Sequence, residues 1–197
     1  GVNLMKGVSV QSFEGDGGAV TRVITDKGVF DTDMVLLVIG ARPNAKIAAD
    51  AGIELGAGGA IKVDDHLKTN IPDVYAAGDC AEATQMVTGK KAYIPLGATA
   101  NKQGRIAGEN AAGMNNIFEG VVGTAATKIF DLEVARTGLS PLEAEREGID
   151  HFVSTIKGRS RSTACPEGKP ITVTYVVEKG SGRLLGAQMA GNEGVAH

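Results

Sequence analysis

The chain has no tryptophan, few aromatic residues and little net charge, and several functional classes are disfavoured by what it lacks. Aromatic residues make up 4% of the 197 residues, and the formal net charge is only −3. This charge argues against nucleic acid as the main partner. No apolar run approaches the length of a membrane span, and no secretory signal is visible at the first residue. We therefore expect a cytoplasmic location, with no membrane or nucleic-acid partner.

Cysteine and histidine are also scarce. The two cysteines are Cys80 and Cys165, and three histidines complete the set of soft metal ligands. The cysteines form no Cys-x-x-Cys pair, and no metal-ligand spacing is present, so no metal site is predicted. A disulfide between them stays open, but free thiols in a reducing cytoplasm are the simpler interpretation. Cys80 is expected to be a small, buried apolar residue, and Cys165 to lie in a loop.

Glycine, by contrast, is abundant, with 28 residues, roughly twice the average usage. The most informative segment, residues 69–79, reads TNIPDVYAAGD. Residues 74–77 predict a short buried strand, and Gly78 allows close approach of a ligand. Asp79 offers a carboxylate at the carboxyl end of that strand, where open α/β sheets bind ligands. The alternative is an ordinary buried strand followed by a turn.

A helix is predicted after Pro95, within residues 93–110, which read YIPLGATANKQGRIAGEN. Small residues recur at every fourth position, at Ala100, Gly104, Gly108 and Ala112. Each glycine costs about 1 kcal/mol relative to alanine in a helix. Such a face would let the helix lie close against a strand or a cofactor, and simple core packing is the alternative. Charged residues on the helix argue against a membrane Gly-x-x-x-Gly motif.

These two segments together resemble the pyridine nucleotide-disulfide oxidoreductases. Residues 69–79 are similar to the second flavin-binding motif of that family. Residues 93–110 resemble the helix that follows it in the NADH oxidases, NADH peroxidases and coenzyme A-disulfide reductases, and residues 39–44 resemble the exit from the family's NAD domain. The resemblance implies FAD and NAD(P)H as cofactors. The cofactor-binding residues that it implies are Gly78, Asp79, Pro95, Leu96, Gly97, Ala98 and Thr99.

The resemblance also implies a role for each part of this set. Asp79 would accept a hydrogen bond from a ribityl hydroxyl, and the amides that follow it would face the pyrophosphate. Leu96, Gly97 and Ala98 would run beside the pyrimidine edge of the flavin. The helix starting near Thr99 would direct its positive end toward the ring.

The implied fold combines α/β and α+β parts in a C-terminal fragment of a longer reductase. Residues 1–43 would end an NAD-binding domain, residues 44–120 would form the second half of a Rossmann-like FAD domain, and residues 121–197 a truncated dimerisation domain. In the first part, the patterns predict strands at residues 8–13, 20–25 and 29–30, and a strand buried on both faces at residues 34–39.

Helix signals and strand patterns continue through the other two parts. Asn44 is the predicted N-cap of a short helix that stops at Gly52, and strands are predicted at residues 59–63 and 73–77. Ser140 and Glu143 predict a capping box. Further strands are predicted at residues 125–130, 134–137, 151–156, 171–178 and 183–189, with a hairpin turn at residues 179–182.

The implied reaction is electron transfer from NAD(P)H through FAD to a disulfide, persulfide, peroxide or oxygen, in a homodimer. The acceptor cysteine of this branch lies outside the chain, so no catalytic residue is assigned. No His-Pro…Glu pair of the glutathione-reductase branch is found. Leu132 follows Phe130 and Asp131, which puts in doubt a tyrosine-assisted mechanism at that position.

Three alternatives stay open. The chain alone could be a dimerisation scaffold without activity, because it lacks the NAD motif and the redox cysteine. A ferredoxin-reductase type is disfavoured by the helix at residues 102–105. The basic residues Lys157, Arg159 and Arg161 could meet coenzyme A phosphates, although a solvated loop is the simpler interpretation.

Overall fold

The computed structural model describes residues 2–162 and 164–196. The chain forms two compact units, Gly1–Gly40 and Ala41–His197. Both the sheets and the few helices agree with the predicted mixed α and β fold. Among the described residues, no helix combines the length and apolarity that a membrane crossing requires.

The first unit contains a three-stranded antiparallel sheet. Its strands β1 (Val10–Asp16), β2 (Ala19–Thr25) and β3 (Gly28–Asp31) lie in the order β1-β2-β3. The prediction for residues 34–39 is wrong, because this segment forms no strand and all of its large apolar side chains except that of Val35 are 61–89% exposed. Within the described part of this unit, no strand pairs with the segment, and a strand buried on both faces requires such neighbours.

The second unit begins with short elements. These are α1 (Lys46–Asp50), a 3₁₀ turn (Ala57–Gly59), β4 (Ala83–Thr84), β5 (Lys91–Ala92) and the longer helix α2 (Gly97–Ala111). The N-cap of α1 is Ala45 rather than Asn44, and its side chain makes no capping bond. Gly52 follows the helix with φ of 82°, in agreement with its predicted role as the stop.

The strands predicted at residues 59–63 and 73–77 are reduced to isolated bridges. Ile61 pairs with Leu55 and Ala81, and Tyr75 pairs with Lys68. Because each pairing involves a single residue, no continuous ladder forms. The segments nevertheless pack in one core, whose buried members are Ala45, Ala48, Ile61, Val63, Leu67, Ala83, Ile106, Ala107, Phe118 and Val121.

A five-stranded antiparallel sheet occupies the rest of the unit. It contains β6 (Ala125–Ile129), β7 (Leu132–Gly138), β8 (His151–Arg159), β9 (Pro170–Glu178) and β10 (Leu184–Gly191), in the order β6-β7-β10-β9-β8. The strand predictions agree closely, except that Phe130 lies in the β6–β7 turn with φ of 53°. Residues 179–182 connect β9 to β10 as the predicted hairpin.

Helix α3 (Pro141–Arg146) packs beside this sheet and confirms the predicted capping box. The Ser140 hydroxyl accepts from the Glu143 amide, and the Glu143 carboxylate accepts from the Ser140 amide at 2.7 Å. A second core forms between helix and sheet, from Leu139, Ala144, Val176 and Leu185.

Candidate cofactor site

The turn at Gly78 and Asp79 is the first part of the candidate site. Residues 74–77 are half-buried and lead into Gly78, whose φ of 86° lies in the left-handed region that glycine adopts without a steric cost. Asp79 is exposed. Across residues 2–162 and 164–196, its carboxylate takes part in no hydrogen bond or ion pair, so it is open to an external donor.

Backbone hydrogen bonds hold this turn on the side of the core. The Ala81 amide donates to the Gly78 carbonyl at 3.0 Å, and the Glu82 amide donates to the Ile61 carbonyl at 3.0 Å. Ile61 in turn donates to the Cys80 carbonyl at 2.7 Å. Of the amides after Asp79, those of Ala81 and Glu82 are therefore already used inside the protein. The amides of Ala81 and Glu82 therefore differ from the expectation that the amides after Asp79 face a pyrophosphate.

A buried glutamine closes the same turn from the other side. Gln103 is fully buried on α2, and its side-chain oxygen accepts from the Gly78 amide at 3.0 Å. Its side-chain nitrogen donates to the Glu82 carbonyl at 2.9 Å. No role was predicted for this residue from the sequence. Its position gives only a weak signal, because the buried face of the helix also carries the polar residues Thr99 and Asn110.

The N-terminus of α2 is the second part of the candidate site. The helix begins at Gly97, two residues earlier than predicted, with Leu96 as the N-cap residue. Among the described residues, no side chain caps this end, and its first turn carries no acidic residue. Gly97 and Ala98 are exposed, whereas Thr99 is buried. The first amides of a helix lack intrahelical partners and carry a partial positive charge, so this end favours an anion or an acceptor.

The structure brings these two parts together. A Cβ atom placed on Gly78 would lie 3.8 Å from the Cβ atom of Ala100, in the first turn of α2. Gly78, Asp79, Gly97, Ala98 and Thr99 thus belong to one neighbourhood, although they come from segments separated by about twenty residues in the chain.

Pro95 and Leu96 contribute to a neighbouring cleft of about 590 Å³. Residues 93–96 line this cleft together with residues from β6, β7 and α3. Burial opposes ionisation of Glu143 in this cleft, but hydrogen bonds from Arg136 and Ser140 outweigh it and hold the pKa of that carboxyl below its ordinary value. Lys90 pairs with Glu147 at 2.5 Å across the same opening. The lining of the cleft therefore includes both apolar and charged side chains.

Two glycines of the small-residue face of α2 lie away from the described part of the chain. Gly104 and Gly108 are exposed, and a Cβ atom at either position would meet no described atom within 4 Å. The face that packs into the core is instead the one that carries Thr99, Gln103, Ile106, Ala107 and Asn110. A face of small residues allows close contact, but the composition of a helix does not determine which of its faces packs against the core.

The other candidate groups stay apart from this site. Cys80 and Cys165 are free and half-buried, which excludes the disulfide between them. Among the residues that the structure describes, no group of three potential ligands could hold a metal ion. In the basic cluster, Lys157 and Arg159 lie at the end of β8 rather than in a loop. Arg159 donates to carbonyls of the loop that follows, and Arg161 pairs with Glu193 at 3.3 Å.

Comparisons with known proteins identify the family. Residues 1–104 match the model of the pyridine nucleotide-disulphide oxidoreductases, and residues 124–196 match the dimerisation domain of the same proteins. The chain belongs to the pyridine nucleotide-disulphide oxidoreductase family. The resemblance stated from the sequence is thereby confirmed, and the five-stranded sheet with α3 corresponds to the dimerisation domain.

Individual relatives agree with this assignment. The chain is 38% identical to the NAD(P)H coenzyme A polysulfide/persulfide reductase of Pyrococcus horikoshii, over 98% of this chain and 43% of the relative. It is 37% identical to an NADH oxidase of Methanocaldococcus jannaschii, over 90% of this chain and 39% of the relative. The structure of an NAD-dependent persulfide reductase from A. fulgidus superposes with a TM-score of 0.90 at 38% identity, over 96% of this chain and 35% of that chain. The chain thus spans about two fifths of the length of the curated relatives it matches.

Proposed function

We propose that this chain is one part of an FAD-dependent oxidoreductase that passes electrons from NAD(P)H through FAD to a disulfide, persulfide, peroxide or oxygen. The observation that carries the proposal is the juxtaposition of the Gly78–Asp79 turn with the open N-terminus of α2, in a chain of this family. Among the relatives are proteins named as persulfide reductases and NADH oxidases, which supports acceptors of this kind.

The residues present fit such a cofactor. Gly78 places no side chain at the turn, and the exposed Asp79 carboxylate can accept hydrogen bonds from ribityl hydroxyls. The Gly97 and Ala98 amides are exposed at the positive end of α2, where they favour an acceptor or negative charge. When bound, FAD takes hydride from NAD(P)H and delivers electrons to the acceptor.

Two apolar residues before α2 lie next to the wall of the candidate site, which is the surface formed by the Gly78–Asp79 turn and the N-terminus of α2. Pro95 and Leu96 are half-buried and line the neighbouring cleft. Thr99 is buried, so its role in the wall is to fix the first turn of the helix rather than to expose its hydroxyl.

The proposal includes a homodimer formed through the dimerisation domain. The match to residues 124–196 supports this assembly. Apolar residues of the sheet are available for it, since Phe152 and Ile156 on β8 are about half exposed, as is Leu184 on β10. A small thiol or disulfide, including one derived from coenzyme A, is the proposed partner molecule, and the two free cysteines suit the reducing cytoplasm.

Replacement of Asp79 tests the cofactor assignment. In the full-length protein, we expect Asp79→Ala to lower the flavin content, measured as the ratio of visible flavin absorbance to protein, because the turn loses its acceptor for ribityl hydroxyls. Glu145→Ala on α3 is the matched control, since it also removes one exposed carboxylate but lies outside the site. An unchanged flavin content in Asp79→Ala would remove this residue from the site.

A second candidate function concerns the chain by itself. Its 197 residues contain neither the glycine-rich dinucleotide turn nor the redox cysteine that the resemblance implies, which favours a non-catalytic dimerisation module for the isolated polypeptide. The visible spectrum distinguishes the two functions. Stoichiometric flavin and NADH oxidation by the purified chain would support the enzyme, whereas a colourless, inactive dimer would support the module.

A further inference from the structure

We infer that Gln103 is a positioning residue that joins the two cofactor-facing segments into one unit and thereby sets the orientation of Asp79. The inference rests on the proposed function, because Asp79 is a flavin ligand only under that proposal. Gln103 itself is fully buried behind the turn, so it acts on a cofactor only through the residues that it holds.

The contacts of the Gln103 amide define this role. Its oxygen accepts from the amide of Gly78, the first residue of the turn, at 3.0 Å, and its nitrogen donates to the carbonyl of Glu82, the last, at 2.9 Å. One side chain therefore bridges both ends of the five-residue loop that presents Asp79. An apolar residue of the same size would leave a buried donor and a buried acceptor without partners, which is costly.

Because Gln103 lies on α2, these contacts couple the helix to the turn that carries Asp79. The residue lies on α2, six positions after Gly97. The helix whose N-terminus forms one part of the candidate site therefore also holds the other part, the Gly78–Asp79 turn. A shift of α2 must therefore either carry the Asp79 turn with it or break these two hydrogen bonds. Glu82 strengthens the coupling, because its own buried carboxylate accepts from the Ala57 amide at 2.9 Å and fixes the far end of the loop.

Asn110 provides a matched control on the same helix. It is 4% exposed, and its amide is also fully used, since it donates to the His66 and Asn116 carbonyls and accepts from the Asn116 amide. Asn110 lies two helical turns, about 10 Å, beyond Gln103. Loss of either amide should destabilise the fold, but only Gln103 touches the turn of Asp79.

The experiment compares Gln103→Met with Asn110→Leu in the full-length flavoprotein after removal of FAD. We expect the FAD dissociation constant to rise about tenfold or more in Gln103→Met and to change less than about twofold in Asn110→Leu, while both variants lose thermal stability. If Gln103→Met does not fold, Gln103→Asn replaces it, because its amide is one methylene too short to bridge both ends of the loop. The FAD dissociation constant is then measured for that variant, with the same expected rise.

A double-mutant cycle with Asp79→Ala completes the test. If Gln103 acts through Asp79, then Gln103→Met should have less than about a threefold effect on FAD binding once Asp79 is gone. Additive effects in this cycle, an equal loss of FAD affinity in Asn110→Leu, or unchanged affinity in the Gln103 variants would each overturn the inference. If Asp79→Ala alone leaves FAD binding unchanged, it is the proposed function of the turn that fails.

Discussion

Replacement of glycine by alanine should change stability in opposite directions at Gly78, in the turn of the candidate site, and at Gly104, inside α2. Gly104 lies inside α2, where a Cβ atom would meet no described atom within 4 Å. Alanine there should stabilise the protein by about 0.5–1 kcal/mol, because glycine loses more backbone entropy on helix formation. Gly78 has φ of 86°, and alanine in the left-handed region should cost about 1–2 kcal/mol.

The cost at Gly78 comes from the backbone alone. The new Cβ atom would approach Ala100 to 3.8 Å, which is an ordinary van der Waals contact, so no steric term adds to the conformational one. The two variants should therefore differ by about 1.5–3 kcal/mol in unfolding free energy. For a chain of this length, each kcal/mol corresponds to about 2–4 °C in the melting temperature.

Denaturant and thermal unfolding of the two variants and the parent measure this difference. Gly108→Ala repeats the helical substitution at a second open position of the same face. The reasoning would be refuted if Gly104→Ala and Gly108→Ala destabilised the protein as Gly78→Ala does. That result would mean that another surface already covers the small-residue face in solution.

Two further predictions concern the dimerisation domain. Ser140→Ala removes the acceptor of the capping box and should lower the unfolding free energy by about 1 kcal/mol, measured by denaturant titration against the exposed control Glu145→Ala. The pKa of Glu143 is depressed in the folded state, because the hydrogen bonds from Arg136 and Ser140 outweigh the effect of burial. Its contribution to stability should therefore be complete above its ordinary pKa of 4.5 and be lost as the pH falls through the lower, folded value. The difference in unfolding free energy between the parent and Glu143→Gln should shrink in acid, and a difference that grows in acid would contradict the assignment.

Local signals predicted the dimerisation domain well. Its hairpins, its strands and the capping box at Ser140 depend on turn residues, on alternation and on contacts three residues apart. Such features are determined within a few residues of chain, so a single sequence carries them. The family and the Gly78–Asp79 motif could also be predicted, because their residue types are specific in order and spacing.

Features that depend on distant partners could not be predicted in this way. Residues 34–39 have the composition of a buried strand, yet most of their side chains are exposed, because burial requires neighbours that composition does not supply. The strands expected at residues 59–63 and 73–77 became single bridges for the same reason. Hydropathy and propensity describe what a segment is able to pack against, but its actual neighbours follow from the tertiary fold.

Helix α2 shows the opposite case, in which polar side chains are buried. Gln103 and Asn110 have side chains that composition would place at the surface, and both are almost fully buried with their amides paired. Their partners are backbone groups of loops, whose positions no periodicity encodes. A buried amide in such a place costs stability unless every partner is present, so it is retained where the exact path of a loop matters. Gln103 lies behind the loop that carries Asp79, and this is the loop on which the proposed flavin binding depends.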